Sequence, residues 1–251
     1  GGTLSADIAV PEHEREVRFF SRVLTTGKSP LWLEDLMNNQ GAPVIGLGER
    51  IPEYDQLPLQ WMPHIMVADV AASAQRALEL GGSELMHGKD DDGNSQWAVL
   101  LDPDGAAFGI IPVVPPESIP QVDRAAGDVG HISWISLTVP DAPAARDFYQ
   151  QVVGWSVQDI EREDAGERYA DFDMLGGDGK PAAGIGPSRG ANTGLPPVWM
   201  IHLPVGDLTE SVRLVGEQGG EVIHSTKGSD GQDTGVVIRD LVGAHLALVQ
   251  A

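Results

Sequence analysis

Apolar and polar residues alternate along four stretches of the chain, LSADIAV (4–10), WMPHIMV (61–67), WISLTV (134–139) and WMIHLPV (199–205). That period of two belongs to a half-buried strand. Each stretch runs into Pro, Asp or Glu, the chemistry of a helix start, then into an amphipathic segment, then into short apolar runs broken by Gly and Asp. The pattern predicts four βαβββ units. The helix AASAQRALELGG (71–82) shows the punctuation: Asp69 can cap its start and Gly81-Gly82 can supply the left-handed residue that ends it.

The units fall into two copies. An offset of 138 residues superposes Trp61-Met62, His64, Asp69, Gly81-Gly82, Asp102 and Gly105 on Trp199-Met200, His202, Asp207, Gly219-Gly220, Asp240 and Gly243, without a gap. Upstream, AVPEHEREVRFFSRVL (9–24) lies against TVPDAPAARDFYQQVV (138–153) at an offset of 129, and the offset returns to 138 where Pro43, Gly46 and Gly48 meet Pro181, Gly184 and Gly186. The proline-rich stretch PVVPPESIPQ (112–121) marks the join. The expected organisation is a first domain over 1–114 (modules about 1–50 and 57–114), a linker over 115–127, and a second domain over 128–251 (modules about 128–188 and 195–251).

Four such units, closed by DPDGAAFGI (102–110) and DLVGAHLAL (240–248), resemble the vicinal oxygen chelate superfamily of glyoxalase I, bleomycin-resistance proteins and extradiol dioxygenases. VPDAPAARDFYQQVVGW and KPAAGIGP are similar to two-domain actinobacterial members labelled glyoxalase-like or hydroxylase. The resemblance implies an α+β fold in which the four modules form two tandem domains with cup-shaped mixed sheets. In metal-using members it implies ligands seven residues before the acidic residue opening each helix and seven after the Asp of the DPDG turn. Counting back from Glu12, Asp69, Asp141 and Asp207 reaches Ser5, Met62, Trp134 and Met200; counting forward from Asp102 and Asp240 reaches Gly109 and Ala247. None of these suits a hard or borderline divalent cation. The expectation is no metal and no cofactor.

By strand parity, Asp7, His64, Ser136 and His202 lie two residues beyond those positions on the same face, and His245 two before Ala247. The expected lining of the cups is therefore Ser5, Asp7, Met62, His64, Trp134, Ser136, Met200, His202 and His245. His64 and His202 are open to three readings: core histidines with satisfied hydrogen bonds, polar groups of a small-molecule pocket, or catalytic acid/base groups. A relocated metal site through His202 and His245 lacks a visible third ligand. Trp134 is the candidate for stacking a planar ligand, whereas Trp61 and Trp199 have the opposite parity and should cover the helix side. Phe19, Phe20, Phe148 and Tyr149 read as core, and no Ser-His-Asp order with motif context stands out.

Charge narrows the partners. Sixteen basic residues against thirty-seven acidic ones give −21, which disfavours nucleic acid and anionic membranes. The run Asp90-Asp91-Asp92 reads as a solvated loop, and the absence of cysteine removes disulfides and thiolate chemistry. No stretch approaches the roughly 20 apolar residues of a membrane span, and Gly1-Gly2 suggests a trimmed or tagged start. The expected protein is cytoplasmic, a monomer or homodimer, and metal-independent, binding an apolar or aromatic metabolite or antibiotic. The alternatives are a metal-free enzyme using a cup histidine, or an interaction protein with filled cups.

Overall fold

The computed structural model describes residues 1–24, 45–118, 129 and 131–251. Among the described residues, three complete βαβββ modules are present. One holds β3 (Met62–Val67), α2 (Val70–Glu79), β4 (Ser83–Lys89), β5 (Ser95–Leu101) and β6 (Ala107–Pro112). The next holds β7 (Trp134–Val139), α3 (Ala142–Val153), β8 (Ser156–Asp164), β9 (Glu167–Leu175) and β10 (Pro181–Pro187). The last holds β11 (Trp199–Val205), α4 (Leu208–Glu217), β12 (Glu221–Lys227), β13 (Asp233–Arg239) and β14 (His245–Gln250). The first module contributes β1 (Thr3–Val10), α1 (His13–Val23) and β2 (Ile45–Glu49) among the described residues. The expected α+β class holds, with strands ordered β3-β6-β5-β4 and β7-β10-β9-β8 in two modules, β12-β13-β14-β11 in the last, and β2 beside β1 in the first.

Local chemistry explains the element ends. The carboxylates of Asp69, Asp141 and Asp207 accept from the amides of Ala72, Ala144 and Glu210 at 2.9, 3.1 and 2.9 Å, capping α2, α3 and α4. Glu12, the corresponding residue before α1, sits at φ 57 with no side-chain cap, and its carbonyl takes the Arg15 amide at 2.8 Å instead. The glycine pairs after α2 and α4 divide their work. Gly81 and Gly219 adopt φ 92 and 93, whereas a Cβ at Gly82 or Gly220 would meet Leu101 O at 2.6 Å or Phe19 Cζ at 2.8 Å. In the DPDG-type turns, Asp102 accepts from the Asp104 and Ala106 amides and Asp240 from those of Val242 and Ala244. These are Asx turns that tie the hairpin to itself.

The chain divides into two compact units. The first comprises Gly1–Leu4, Met62–Val114 and Trp134–Trp199; the second comprises Ser5–Trp61, Pro115–Ser133 and Met200–Ala251. In the first unit Phe108, Phe148, Tyr149, Trp155 and Trp199 pack ring to ring between sheet and helices, with centroids 5.0 to 6.3 Å apart. In the second, Phe19, Phe20 and Trp61 do so at 5.0 and 5.6 Å. Trp61 and Trp199 are both buried against these helix-side aromatics, as their parity requires. Among the described residues, no helix is long and apolar enough to cross a membrane.

Candidate functional site

Opposite the face that packs Trp61, Trp199 and the other helix-side aromatics, the ladder registers place one cross-strand row of residues in each module. In the second module the row is His64, Gly109, Val99, Met86. In the third it is Ser136, Gly184, Asp173, Gln158. In the fourth it is His202, Ala247, Val237, His224. The first module begins the same row with Asp7 and Gly46. The first-strand residues are thus those singled out by parity, and each faces a small residue of the module's last strand.

Those small residues act as seats. A Cβ on Gly109 would meet His64 Cδ2 at 2.6 Å, and one on Gly184 would meet the Trp134 indole at 3.1 Å. One on Gly46 would collide with the Asp7 carboxylate. Imidazole, indole and carboxylate therefore lie across a glycine, using space that any larger side chain would claim. This role of Gly109, Gly184 and Gly46 escapes a reading of the chain alone, because it depends on which residue sits opposite. The spacing rule that reached Gly109 and Ala247 was the available signal.

Exposure separates the expected lining residues. His64, Trp134, Ser136, His202 and His245 are partly open and Asp7 is exposed, whereas Met62 and Met200 are 4 % exposed and Ser5 9 %. Little of Ser5, Met62 or Met200 is left for a ligand. The first unit holds Met62, His64, Trp134 and Ser136; the second holds Ser5, Asp7, Met200, His202 and His245. His245 shares its face of β14 with Ala247, the partner of His202. Crowding by protein atoms pushes the His202 imidazole down to about 4, so it is neutral at neutral pH. His245 is lowered too, by burial first and then by the charge of Arg239.

The third module adds a carboxylate that sequence reading missed. Asp173 lies in the row with Ser136 and Gly184, partly exposed. Its neighbour on the same face, Asp171, pairs with Arg162 Nε at 2.7 Å. The face thus offers an indole over a bare glycine backbone, a hydroxyl and a carboxylate. This combination suits a planar molecule with a polar edge.

A divalent metal fits poorly. The positions that metal-using relatives are expected to use hold Ser5, Met62, Trp134, Met200, Gly109 and Ala247. The space beside Gly109 is taken by the His64 ring. Among the described residues, no three His, Asp or Glu side chains converge within metal-binding reach.

Comparison with known proteins agrees with this architecture. Residues 4–111 match the family described as "Glyoxalase-like domain", and residues 131–245 the "Glyoxalase/Bleomycin resistance protein/Dioxygenase superfamily". The chain belongs to this group, the vicinal oxygen chelate superfamily, as two tandem glyoxalase-like domains. It is similar to the anthracycline biosynthesis protein DauV of Streptomyces sp. (strain C5), with 27% identity over 68% of this chain and 59% of that protein. It is also similar to CFP32 of Mycobacterium bovis, provisionally named a glyoxylase, with 33% identity over 49% of this chain and 46% of that protein. The chain thus spans about half to three fifths of these relatives' lengths. The Mn(II)-bound glyoxalase of Novosphingobium aromaticivorans shares the fold at 15% identity and a TM-score of 0.59, covering 99% of this chain and 81% of that one.

Proposed function

We propose that this chain binds a small, largely apolar or aromatic metabolite or antibiotic on the sheet faces of its glyoxalase-like domains that carry these rows, without using a metal ion. The observation that carries this reading is the seating of Trp134 over Gly184, beside Ser136 and Asp173. Stacking on an indole rewards flat apolar area, and a few placed polar groups fix orientation. A polycyclic aromatic natural product matches that chemistry, and the similarity to a protein named for anthracycline biosynthesis points the same way. The two domains expected at 1–114 and 128–251 remain part of this proposal, each supplying such faces.

His202 supports a second reading, proton transfer on the bound molecule. Its imidazole is neutral near pH 7, so it serves as a base or hydrogen-bond partner and not as a ready acid. The test is a thermal-shift and fluorescence titration with polycyclic aromatic antibiotics. A true ligand raises the melting temperature by mass action. Trp134→Ala is expected to weaken binding by about tenfold or more, given the roughly 0.5–1.5 kcal/mol of ring stacking plus lost area. No shift across the panel, or unchanged affinity in Trp134→Ala, would defeat the proposal. Product formation that disappears in His202→Ala would establish the second reading over simple binding.

A further inference from the structure

The hairpin of β4 and β5 carries a chain of three hydrogen-bonded side chains that none of the rows includes. His87 Nε2 lies 2.8 Å from Ser95 Oγ, and His87 Nδ1 lies 2.9 Å from Glu84 Oε2. An ionised carboxylate only accepts, so in the neutral ring Nδ1 carries the proton; Nε2 is then the acceptor and the Ser95 hydroxyl donates to it. The His87 side chain is 16% exposed and Glu84 33%, and Ser95 is partly open. The ring is held, and the hydroxyl can be reached.

Two β-bulges make the chain possible. Glu84 and His87 are an odd number of residues apart and would point to opposite faces of a regular strand. Between them the ladder passes from Glu84 opposite Leu100 to Met86 opposite Val99, and the extra residue turns both side chains to one face. On β5 the ladder passes from Trp97 opposite Gly88 to Ser95 opposite Lys89, which takes Gln96 out of register and brings Ser95 to the His87 side.

The duplicated hairpin supplies a comparison. β12 and β13 carry register shifts at the same two places, between Val222 and His224 and between Thr226 and Lys227. There the positions of Glu84, His87 and Ser95 are held by Val222, Ser225 and Asp233, and Asp233 pairs with Lys227 at 2.7 Å. The bulges therefore belong to the fold, whereas the three side chains belong to one hairpin.

We propose that Ser95, His87 and Glu84 form a nucleophile, base and orienting group for acyl transfer from a small carboxylic ester. Exposed Asp91 and Asp92 at the hairpin tip disfavour anionic esters and leave neutral or cationic ones. The Ser95 Oγ bonds to the carbonyl carbon as its proton passes to His87 Nε2. The adduct then breaks its bond to the leaving alkoxide, which takes that proton. Water attacks the acyl-serine the same way, releasing the acid and restoring the hydroxyl. Glu84 holds Nδ1–H and balances the transient imidazolium charge, and so acts as a positioning residue.

The test uses the full chain with p-nitrophenyl acetate and, separately, an alkyl fluorophosphonate. The expected result is release of p-nitrophenol with an acetyl group, or a phosphonyl group, on the peptide containing Ser95. Ser95→Ala should lose both adducts while keeping the wild-type melting temperature. His87→Gln should slow acylation on the order of a hundredfold or more. Glu84→Gln should slow it less and alter the pH profile of the rate, which a merely structural residue would not do. The absence of label on Ser95 across neutral and mildly alkaline pH, or wild-type hydrolysis by Ser95→Ala, would overturn the proposal.

Discussion

Tyr149 and Phe20 hold the same place in the two duplicated cores, and a single hydroxyl distinguishes them. In the first unit Tyr149 donates to Asp102 Oδ2 at 2.9 Å and accepts from Trp199 Nε1 at 2.8 Å, so the turn, the helix and the strand are closed into one buried chain. In the second unit Phe20 packs against Trp61 with no hydroxyl to offer. Trp61 Nε1 and Asp240 Oδ2 are buried without a partner among the described residues. Glu16, where the other copy has Ala145, is 1% exposed with both carboxyl oxygens likewise unpartnered. Burial, and then the nearby Asp240, push its carboxyl up to about 8; burial pushes Asp240 up to about 6 against its backbone hydrogen bonds. The Tyr149 position has therefore satisfied the buried polar groups around it, whereas the equivalent Phe20 position leaves Trp61, Asp240 and Glu16 atoms unpaired as a local cost.

The largest effect should come from removing the hydroxyl. Tyr149→Phe leaves Asp102 and Trp199 each with an unpartnered buried atom and should cost about 3 kcal/mol in chemical denaturation, since each such group costs roughly 1–3 kcal/mol. A loss well under 1 kcal/mol would mean that the two cores do not differ in the way described.

A second test is pH. The unfolded chain releases the Glu16 proton near the ordinary 4.5, but the folded chain holds it until about 8. The native state binds more protons across that window, so Glu16's contribution to stability falls as pH rises through it. Glu16→Gln removes the ionisation and should flatten the decline, leaving the variant more stable than wild type by on the order of 2 kcal/mol at the alkaline end and near parity at the acidic end. Parallel urea titrations along the pH series measure this, and identical slopes would refute it.

The smallest effect tests the equivalence itself. Adding Phe20→Tyr to Glu16→Ala transplants the Tyr149 and Ala145 arrangement and should gain about 1 kcal/mol over Glu16→Ala alone, the net worth of an intramolecular hydrogen bond. A loss would show that the hydroxyl does not reach Trp61 and Asp240.

The legible features were those governed by local periodicity. Strands alternate every two residues, and the Asp caps at 69, 141 and 207 precede their helices directly, so both are written in short windows. The Tyr149 network is not local: its acceptor Asp102 is 47 residues away, and Tyr149 classed simply as a core aromatic beside Phe20. The contrast did stand in the alignment of 9–24 with 138–153, as Phe20 against Tyr149 and Glu16 against Ala145. The seats at Gly109 and Gly184 needed cross-strand register, and the Ser95, His87 and Glu84 chain depends on bulges that defeat parity.

The account's central claim is that ligand is held by stacking and placed polar groups and not through a metal. Calorimetric titration of a polycyclic aromatic antibiotic into chelator-treated protein, and into the same protein resupplied with Zn, Mn or Fe, tests it directly. The account predicts equal affinity in both and weaker binding in Trp134→Ala. Binding that appears only with stoichiometric metal would contradict it.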